Sequence, residues 1–402
     1  MPQFSIIIPV YNRYDSLEKA LDSVLSQTVQ DFEVLIVDDG SKYSVASLIK
    51  QLVAHLSDDR LKLLVHPSNK NGAAARNTGI QAASGQYLCF LDSDDFWKPN
   101  KLQAVLNCIQ HNNKPNEFVI YHQYCNSVNG LLADASPKVA KGKDESVAHY
   151  SFVTNNVGGI QSSTICIPKA LARRCLFDER FKGHQDWDFA LKVGQLTSVF
   201  YFLAEPLTIR CKELNDSVAD SLSWGYSLWF YSQRASYFDN ISALHFFERV
   251  VLRKAAFTLV VFPAITNKWI CKLLLAHPLK TIQLICNYGT KIYRLNNRIK
   301  RLKRECKNPD IQSVMIWGAN DYAKSIILYF NQRLNITKII DSRANLKSGR
   351  FLGIKTAPIK GITREELDNI DVLILATDKH QKSMKGELGK IKPTLLSKVF
   401  EF

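Results

Sequence analysis

Three carboxylates stand within four residues at the end of an apolar run, in Phe90-Leu91-Asp92-Ser93-Asp94-Asp95. Like charges this close must be compensated by a cation or left strongly repulsive. A hard divalent ion such as Mg²⁺ or Mn²⁺ takes oxygen ligands and commonly bridges a few carboxylates to substrate phosphates, so the three acids suggest a diphosphate site. A solvated acidic turn is the plainer reading of the same residues. Two further groups also follow apolar runs: Pro9-Val10-Tyr11-Asn12-Arg13 and Val37-Asp38-Asp39-Gly40-Ser41. Carboxylates at Asp38 and Asp39 can accept hydrogen bonds from a ribose or from the N–H of a pyrimidine base, and Tyr11 offers a ring for stacking. Asp38 to Ser41 equally suits a turn followed by a helix cap. Between the acidic groups lies Gly72-Ala73-Ala74-Ala75-Arg76-Asn77-Thr78-Gly79. Its small residues permit close approach of helix to sheet or of backbone to ligand, and Arg76 can pair with a phosphate or with one of the aspartates.

These residues need a scaffold that brings them to one edge. Residues 1–110 alternate apolar runs (Phe4–Pro9, Phe32–Asp38, Leu61–His66, Tyr87–Leu91) with amphipathic stretches over Ser16–Gln27, up to Leu56, and Gly72–Ala83. That alternation predicts an α/β fold with a mostly parallel sheet flanked by helices, in which ligands bind beyond the carboxyl ends of the strands. Residues 111–239 are less regular, and a polar stretch near 134–148 reads as a mobile loop. Strand and helix alternation resumes at Ser313–Trp317, Ile336–Asp341 and Val372–Thr377.

At 402 residues and 46% hydrophobic, the chain can bury two to three cores and is not disordered. Its net charge of +15 is unevenly placed. Residues 1–239 carry 23 basic and 25 acidic side chains, residues 240–308 carry 14 and 2, and residues 309–402 carry 15 and 10. The nine cysteines are scattered, with no C-x-x-C spacing, so neither a disulfide framework nor a zinc site is expected. No secretory signal is expected at the N-terminus, and no apolar run reaches the roughly 18 residues of a spanning helix.

Taken in order, Ile6-Ile7-Ile8-Pro9-Val10-Tyr11-Asn12, Val37-Asp38-Asp39-Gly40-Ser41, the Gly72–Gly79 segment and Phe90-Leu91-Asp92-Ser93-Asp94-Asp95 resemble the family 2 inverting glycosyltransferases, strongly over residues 1–110 and more loosely over 111–239. The resemblance implies a GT-A type fold, a nucleotide-sugar donor (most often a UDP-sugar), and a divalent metal, Mn²⁺ or Mg²⁺, on Asp92 and Asp94. Pro9, Tyr11 and Asp39 would then border the uracil, with Asp38 nearby and Arg76 near the donor phosphates. Asp92 would meet the ribose and the metal, and Ser93 belongs to the same donor-binding set. The family places its catalytic carboxylate in a Glu-Asp pair before an aromatic residue. Gly183-His184-Gln185-Asp186-Trp187-Asp188-Phe189 matches that place, with Gln185 standing for the first acid, so Asp186 is the candidate base. A helix cap is the other reading of Asp186, and Asp188 is a weaker alternative base.

Two departures stand out. The stretch Pro206 to Glu213 lacks the downstream His that family members often add to the metal shell, and no Q-x-x-R-W signature of processive synthases occurs. Transfer of one sugar per binding event is therefore expected. The organisation expected is a transferase domain over 1–239, a basic amphipathic helical segment over 240–308, and a small Rossmann-like domain over 309–402. The basic segment suits an anionic membrane surface better than nucleic acid, because it carries no nucleic-acid-binding motif; a basic helical linker packed on its neighbours is the other reading. This gives a cytoplasmic, peripheral enzyme acting on a glycan or lipid-linked acceptor in bacterial surface polysaccharide assembly. In the last segment Trp317-Gly318-Ala319-Asn320-Asp321-Tyr322 resembles a degenerate dinucleotide-binding turn, with Asp341 at about the spacing of a ribose contact; a structural or partner-docking role is the other reading. A nucleotidyltransferase is the rival enzyme class, although it would normally show a Gly-rich basic loop after the first strand. A non-catalytic nucleotide-binding scaffold is the rival outside enzymes.

Overall fold

A computed structural model describes residues 1–112, 116–128, 131–211 and 223–252, and beyond these mainly the strands between 313 and 401. The chain divides into two compact units, Met1–Lys212 with Trp229–Phe246, and Glu213–Leu228 with Phe247–Phe402.

The first unit opens with β1 (Phe4–Val10), α1 (Asp15–Leu25), β2 (Phe32–Asp38), α2 (Tyr43–Leu56), β3 (Leu61–Val65), α3 (Gly72–Ala82) and β4 (Tyr87–Phe90). The four strands are parallel in the order β3-β2-β1-β4. Phe4, Ile6, Ile7 and Ile8 of β1 and every residue of β2 are buried. Such continuous apolar runs are what strands covered on both faces require. Helix α1 buries Leu17, Ala20, Leu21 and Val24, one face at helical spacing. Helix α3 lies closer to the sheet: a Cβ on Gly79 would sit 2.4 Å from Ile7 Cγ2. The run of small residues in α3 thus serves close packing.

Pairing of β1 with β4 ends at Ile7 opposite Phe90, while β1 continues to Val10 opposite Asp38. The chain after β4 therefore leaves the sheet early and carries Asp92–Asp94 onto its carboxyl edge. It re-enters as β5 (Asp95–Trp97), followed by α4 (Lys101–His111), β6 (Val119–Val128), β7 (Leu131–Leu132), the short α5 (Val147–His149), β8 (Cys166–Pro168), α6 (Lys169–Arg174), α7 (Gln185–Val193) and β9 (Phe200–Cys211). The sheet continues β4-β8-β6-β9-β5, with β7 beside β6. Here β4/β8, β6/β8 and β5/β9 are antiparallel and β6/β9 is parallel. Residues 134–148 contain little regular structure, yet they are pinned. Lys141 N donates to the Tyr121 hydroxyl at 2.7 Å, Tyr150 Oη donates to Val139 O at 2.9 Å, and Gln123 Nε2 donates to Pro137 O at 2.9 Å. The expectation of a mobile loop overlooked these buried tyrosines, which lie on neighbouring elements.

In the second unit β10 (Val314–Trp317), β11 (Ile336–Ile340), β12 (Arg350–Phe351), β13 (Ile354–Ala357), β14 (Val372–Leu375) and β15 (Val399–Glu401) form a sheet in the order β12-β13-β11-β10-β14-β15, parallel except for β12/β13. Trp317, Ile340, Leu373 and Leu375 make its core. The turn Gly318–Tyr322, Asp341 and almost all of 253–308 lie outside the described residues. Among the described residues no helix is long and apolar enough to cross a membrane.

Candidate active site

The carboxyl edge of the first sheet gathers two groups of acids. Asp38 and Asp39, at the end of β2, are both buried. Asp38 Oδ1 accepts from Ser41 N at 3.0 Å. Asp39 accepts from His66 Nδ1 at 2.7 Å, Lys70 N at 3.0 Å and Asn71 N at 2.7 Å. Asn71 in turn caps α3 by accepting from Ala73 N at 2.8 Å. Asp39 therefore anchors the segment that starts the Arg76 helix. Gly40 has φ +71°, and a Cβ there would meet Ser68 C at 2.4 Å, so this turn requires glycine. The loops after β1 and β2 are stitched together: Asn12 N donates to Ser41 Oγ and Lys42 N donates to Asn12 Oδ1, both at 2.8 Å. Pro9 is half-buried, and Tyr11 is 45% exposed at the rim.

The second group is Asp92, Ser93, Asp94 and Asp95. Arg76, buried on α3, pairs with Asp92 through Nη2 and donates from Nη1 to Gln185 Oε1 at 2.8 Å. Ser162 Oγ donates to the Asp92 carboxylate at 3.2 Å, and Gln161 Nε2 lies 3.3 Å from it. Burial alone would raise the Asp92 pKa. The Arg76 guanidinium, Arg210 and Ser162 outweigh burial and hold it below the usual carboxylate range. Asp95, also buried, accepts from Ser163 Oγ at 2.7 Å. Burial and the neighbouring Asp92 charge push it well above that range. Ser93 is buried between these acids. Asp94 pairs with Arg13 at the more open side of the group, and burial with the Asp92 charge raises its carboxyl.

Asp186 lies in the first turn of α7 and faces the same place. Burial and then the Asp92 charge raise its carboxyl, opposed by Arg76, Arg210 and a hydrogen bond from Ser162. Arg76, Asp92, Asp94 and Asp186 are thus one electrostatic unit, whereas Asp38 and Asp39 form a separate group on the same edge. Asp188 is spent elsewhere. It is buried, accepts from Arg234 Nε at 2.5 Å and from Asp178 N at 3.2 Å, and so holds the helix in place.

Arg210 is the residue that sequence reasoning missed. Its register partners are Asp95 on β5 and Asn126 on β6, its guanidinium lies 5.2 Å from the Tyr124 ring centroid, and its charge reaches Asp95, Asp186 and Asp92. The available signal was a charge in the otherwise apolar run Leu207-Thr208-Ile209, which needs a buried counter-charge. Among the described residues no group of three or more His, Cys, Asp and Glu side chains is set to hold a metal ion. Asp92 and Asp94 are the residues that would hold a divalent cation, which takes oxygen ligands: Asp94 stands at the more open side of the group, its carboxyl raised by burial and then by the Asp92 charge.

Comparison with known proteins gives the family and the fold. The family model "Glycosyl transferase family 2" matches residues 5–181. The chain is 35% identical over 232 residues to the amylovoran biosynthesis glycosyltransferase AmsB of Erwinia amylovora, covering 55% of this chain and 76% of that protein. It is 40% identical over 109 residues to the Escherichia coli "UDP-Glc:alpha-D-GlcNAc-diphosphoundecaprenol beta-1,3-glucosyltransferase WfgD", covering 27% of this chain and 42% of that one. It spans only 26% of an uncharacterized glycosyltransferase of Rickettsia felis to which it is 36% identical over 44% of its own length. In fold it resembles residues 1–349 of S. aureus TarS, with a TM-score of 0.51 and 19% identity over 75% of this chain and 92% of that one. The motifs, the sheet that carries them and these relatives agree: the chain belongs to glycosyltransferase family 2 and is a sugar-transferring enzyme.

Proposed function

We propose that this enzyme moves a single sugar, with inversion, from a nucleotide-sugar, a UDP-sugar, to a glycan or lipid-linked acceptor during assembly of a bacterial surface polysaccharide. The observation that carries the reading is the convergence of Asp186 with Asp92 and Asp94, one raised carboxyl facing an acid pair across Arg76 and Ser162. A base must lie near the working pH to take a proton efficiently, and a raised carboxyl moves in that direction. Asp186 accepts the proton of the acceptor hydroxyl as that oxygen attacks the anomeric carbon, and the sugar–phosphate bond breaks on the opposite face. Arg76, on α3, lies near the donor phosphates and adds its positive charge there while it holds Asp92 and Gln185. Pro9, Tyr11 and Asp39 border the uracil at the ends of β1 and β2, with Asp38 nearby, and Asp92 meets the ribose. Asp94, with Asp92 and Ser93 beside it, would hold Mg²⁺ or Mn²⁺, which when bound neutralises the departing diphosphate. The names of WfgD and AmsB, a UDP-glucose-dependent enzyme acting on a lipid diphosphate sugar and a polysaccharide biosynthesis enzyme, support the donor, the acceptor and the setting.

The charge distribution supports a place of action at the inner face of the cytoplasmic membrane, since residues 240–308 hold 14 basic and 2 acidic side chains. We read 1–239 as the transferase domain, 240–308 as its basic segment and 309–402 as a Rossmann-like domain. The test is to incubate the protein with Mn²⁺ and a panel of nucleotide sugars. UDP release that is lost in Asp94→Ala supports the reading, and nucleotide binding without turnover on any donor and acceptor overturns it.

A further inference from the structure

Helix α7 is held from behind by Asp188, which accepts from Arg234, and at its entry by His184, stacked on Trp187 with ring centroids 4.5 Å apart. Its side-chain link to Asp92 runs through Gln185 and Arg76. We propose that Gln185 is a positioning residue, forming with Arg76 a strut that fixes the base-bearing helix against the Asp92 loop. This rests on the transferase reading above.

The guanidinium of Arg76 is planar and forked, and its two ends are used on two different elements: Nη1 on Gln185 Oε1 at 2.8 Å and Nη2 on Asp92. The fork is itself held. Arg76 is 6% exposed, its guanidinium lies 5.3 Å from the Phe177 ring centroid, and Gly72 leaves the room it needs, since a Cβ there would stand 3.1 Å from Nη1 and 3.3 Å from Gln185 Oε1. The amide of Gln185 is fixed at its other end too, donating from Nε2 to Phe181 O at 2.7 Å, with Asn71 Oδ1 at 3.4 Å. A guanidinium takes only an acceptor and a carbonyl takes only a donor, so an amide satisfies both neighbours at once. A carboxylate at 185 would keep the Arg76 bond and present a lone pair to Phe181 O. This is a physical reason for glutamine where the family pattern often has glutamate.

The experiment compares Gln185→Leu, Gln185→Glu, Arg76→Lys and the double variant Arg76→Lys/Gln185→Leu in Mn²⁺, with UDP-glucose and UDP-N-acetylglucosamine as donors and UDP for binding. Misplacing a catalytic group by about 1 Å can cost about 10²-fold in rate, so Gln185→Leu is expected to lose kcat on that order while UDP affinity stays near wild type. Gln185→Glu, which keeps the Arg76 bond and loses the Phe181 bond, falls between Gln185→Leu and the wild type. Two residues acting as one strut are not additive, so the double variant is no slower than the slower single one. Wild-type kcat in Gln185→Leu, or losses that multiply in the double variant, would overturn the strut. If the wild type binds UDP but turns over no donor, the transferase reading fails separately. The strut is then read from hydrogen exchange, where Gln185→Leu must speed exchange at the amides of both 73–77 and 186–189, and more than Gln185→Glu does. Unchanged exchange in Gln185→Leu would also overturn it.

Discussion

Arg234 and Asp188 form the ion pair that holds the Asp186 helix from behind: Arg234 Nε donates to Asp188 Oδ1 at 2.5 Å, and its Nη2 donates to Asp178 Oδ2 at 2.7 Å. Arg234 is 8% exposed and belongs to the helix Trp224–Arg234. Removing it leaves the buried Asp188 with only the Lys192 ion pair at 3.7 Å, while Asp178 keeps Arg180, so the cost stays below the value of about 3–5 kcal/mol for a fully broken buried pair. Arg234→Met should therefore lower the thermal midpoint clearly, with Arg234→Lys intermediate because it keeps the charge and loses the fork. Unchanged melting in Arg234→Met would show that the ion pair contributes little.

Stability should also fall in acid through Glu33. Burial would raise this carboxyl, but hydrogen bonds from Lys62, Ser5 and Ser84 outweigh it and hold it down at about 2, against an ordinary 4.5. A depressed folded value means the stabilisation is present above 4.5 and is lost as pH falls from there toward 2. Denaturation followed between these limits should show a steeper loss in the wild type than in Glu33→Gln, which cannot titrate. Equal slopes would remove Glu33 from the account.

Gly40→Ala tests the turn beneath the donor-binding edge. At φ +71° with a Cβ only 2.4 Å from Ser68 C, alanine must shift backbone rather than a flexible side chain. The expected outcome is weaker UDP binding together with a loss of stability on the order of 1–3 kcal/mol. Wild-type calorimetric affinity and melting would contradict it.

The location argument has its own test. Replacing Arg298, Lys300, Arg301, Lys303 and Arg304 with Gln should reduce binding to vesicles of anionic lipid, since each basic residue near such a surface is worth about 1 kcal/mol. Binding to neutral vesicles should be weak for both proteins. Retained affinity for the anionic vesicles would separate the +12 charge of 240–308 from membrane binding.

Much of the first unit was legible because its signals are local. The strand Phe32–Asp38 is where the apolar run places it, and the helices from Asp15, Tyr43 and Gly72 lie within a residue or two of their amphipathic patterns. The acids after the strands were legible for the same reason, as type and position together require a sheet edge. What sequence could not supply was pairing across distance. Arg210 meets Asp95 only because β5 returns to the far end of the sheet beside β9, and Arg76 meets Gln185 across 109 residues. Asp188 and Asp186 look alike in sequence. Helical geometry points them to different faces, one toward Arg234 and one toward Asp92.

The central claim is that Asp186 is the base of a sugar transfer centred on Asp92 and Asp94. The most direct measurement is Asp186→Asn, with UDP affinity by calorimetry beside steady-state UDP release on the donor that the wild type uses. General base catalysis contributes about 10²–10⁴-fold, so kcat should fall by that range while UDP binds as in the wild type. Near-wild-type kcat in Asp186→Asn, with UDP affinity intact, would contradict the account.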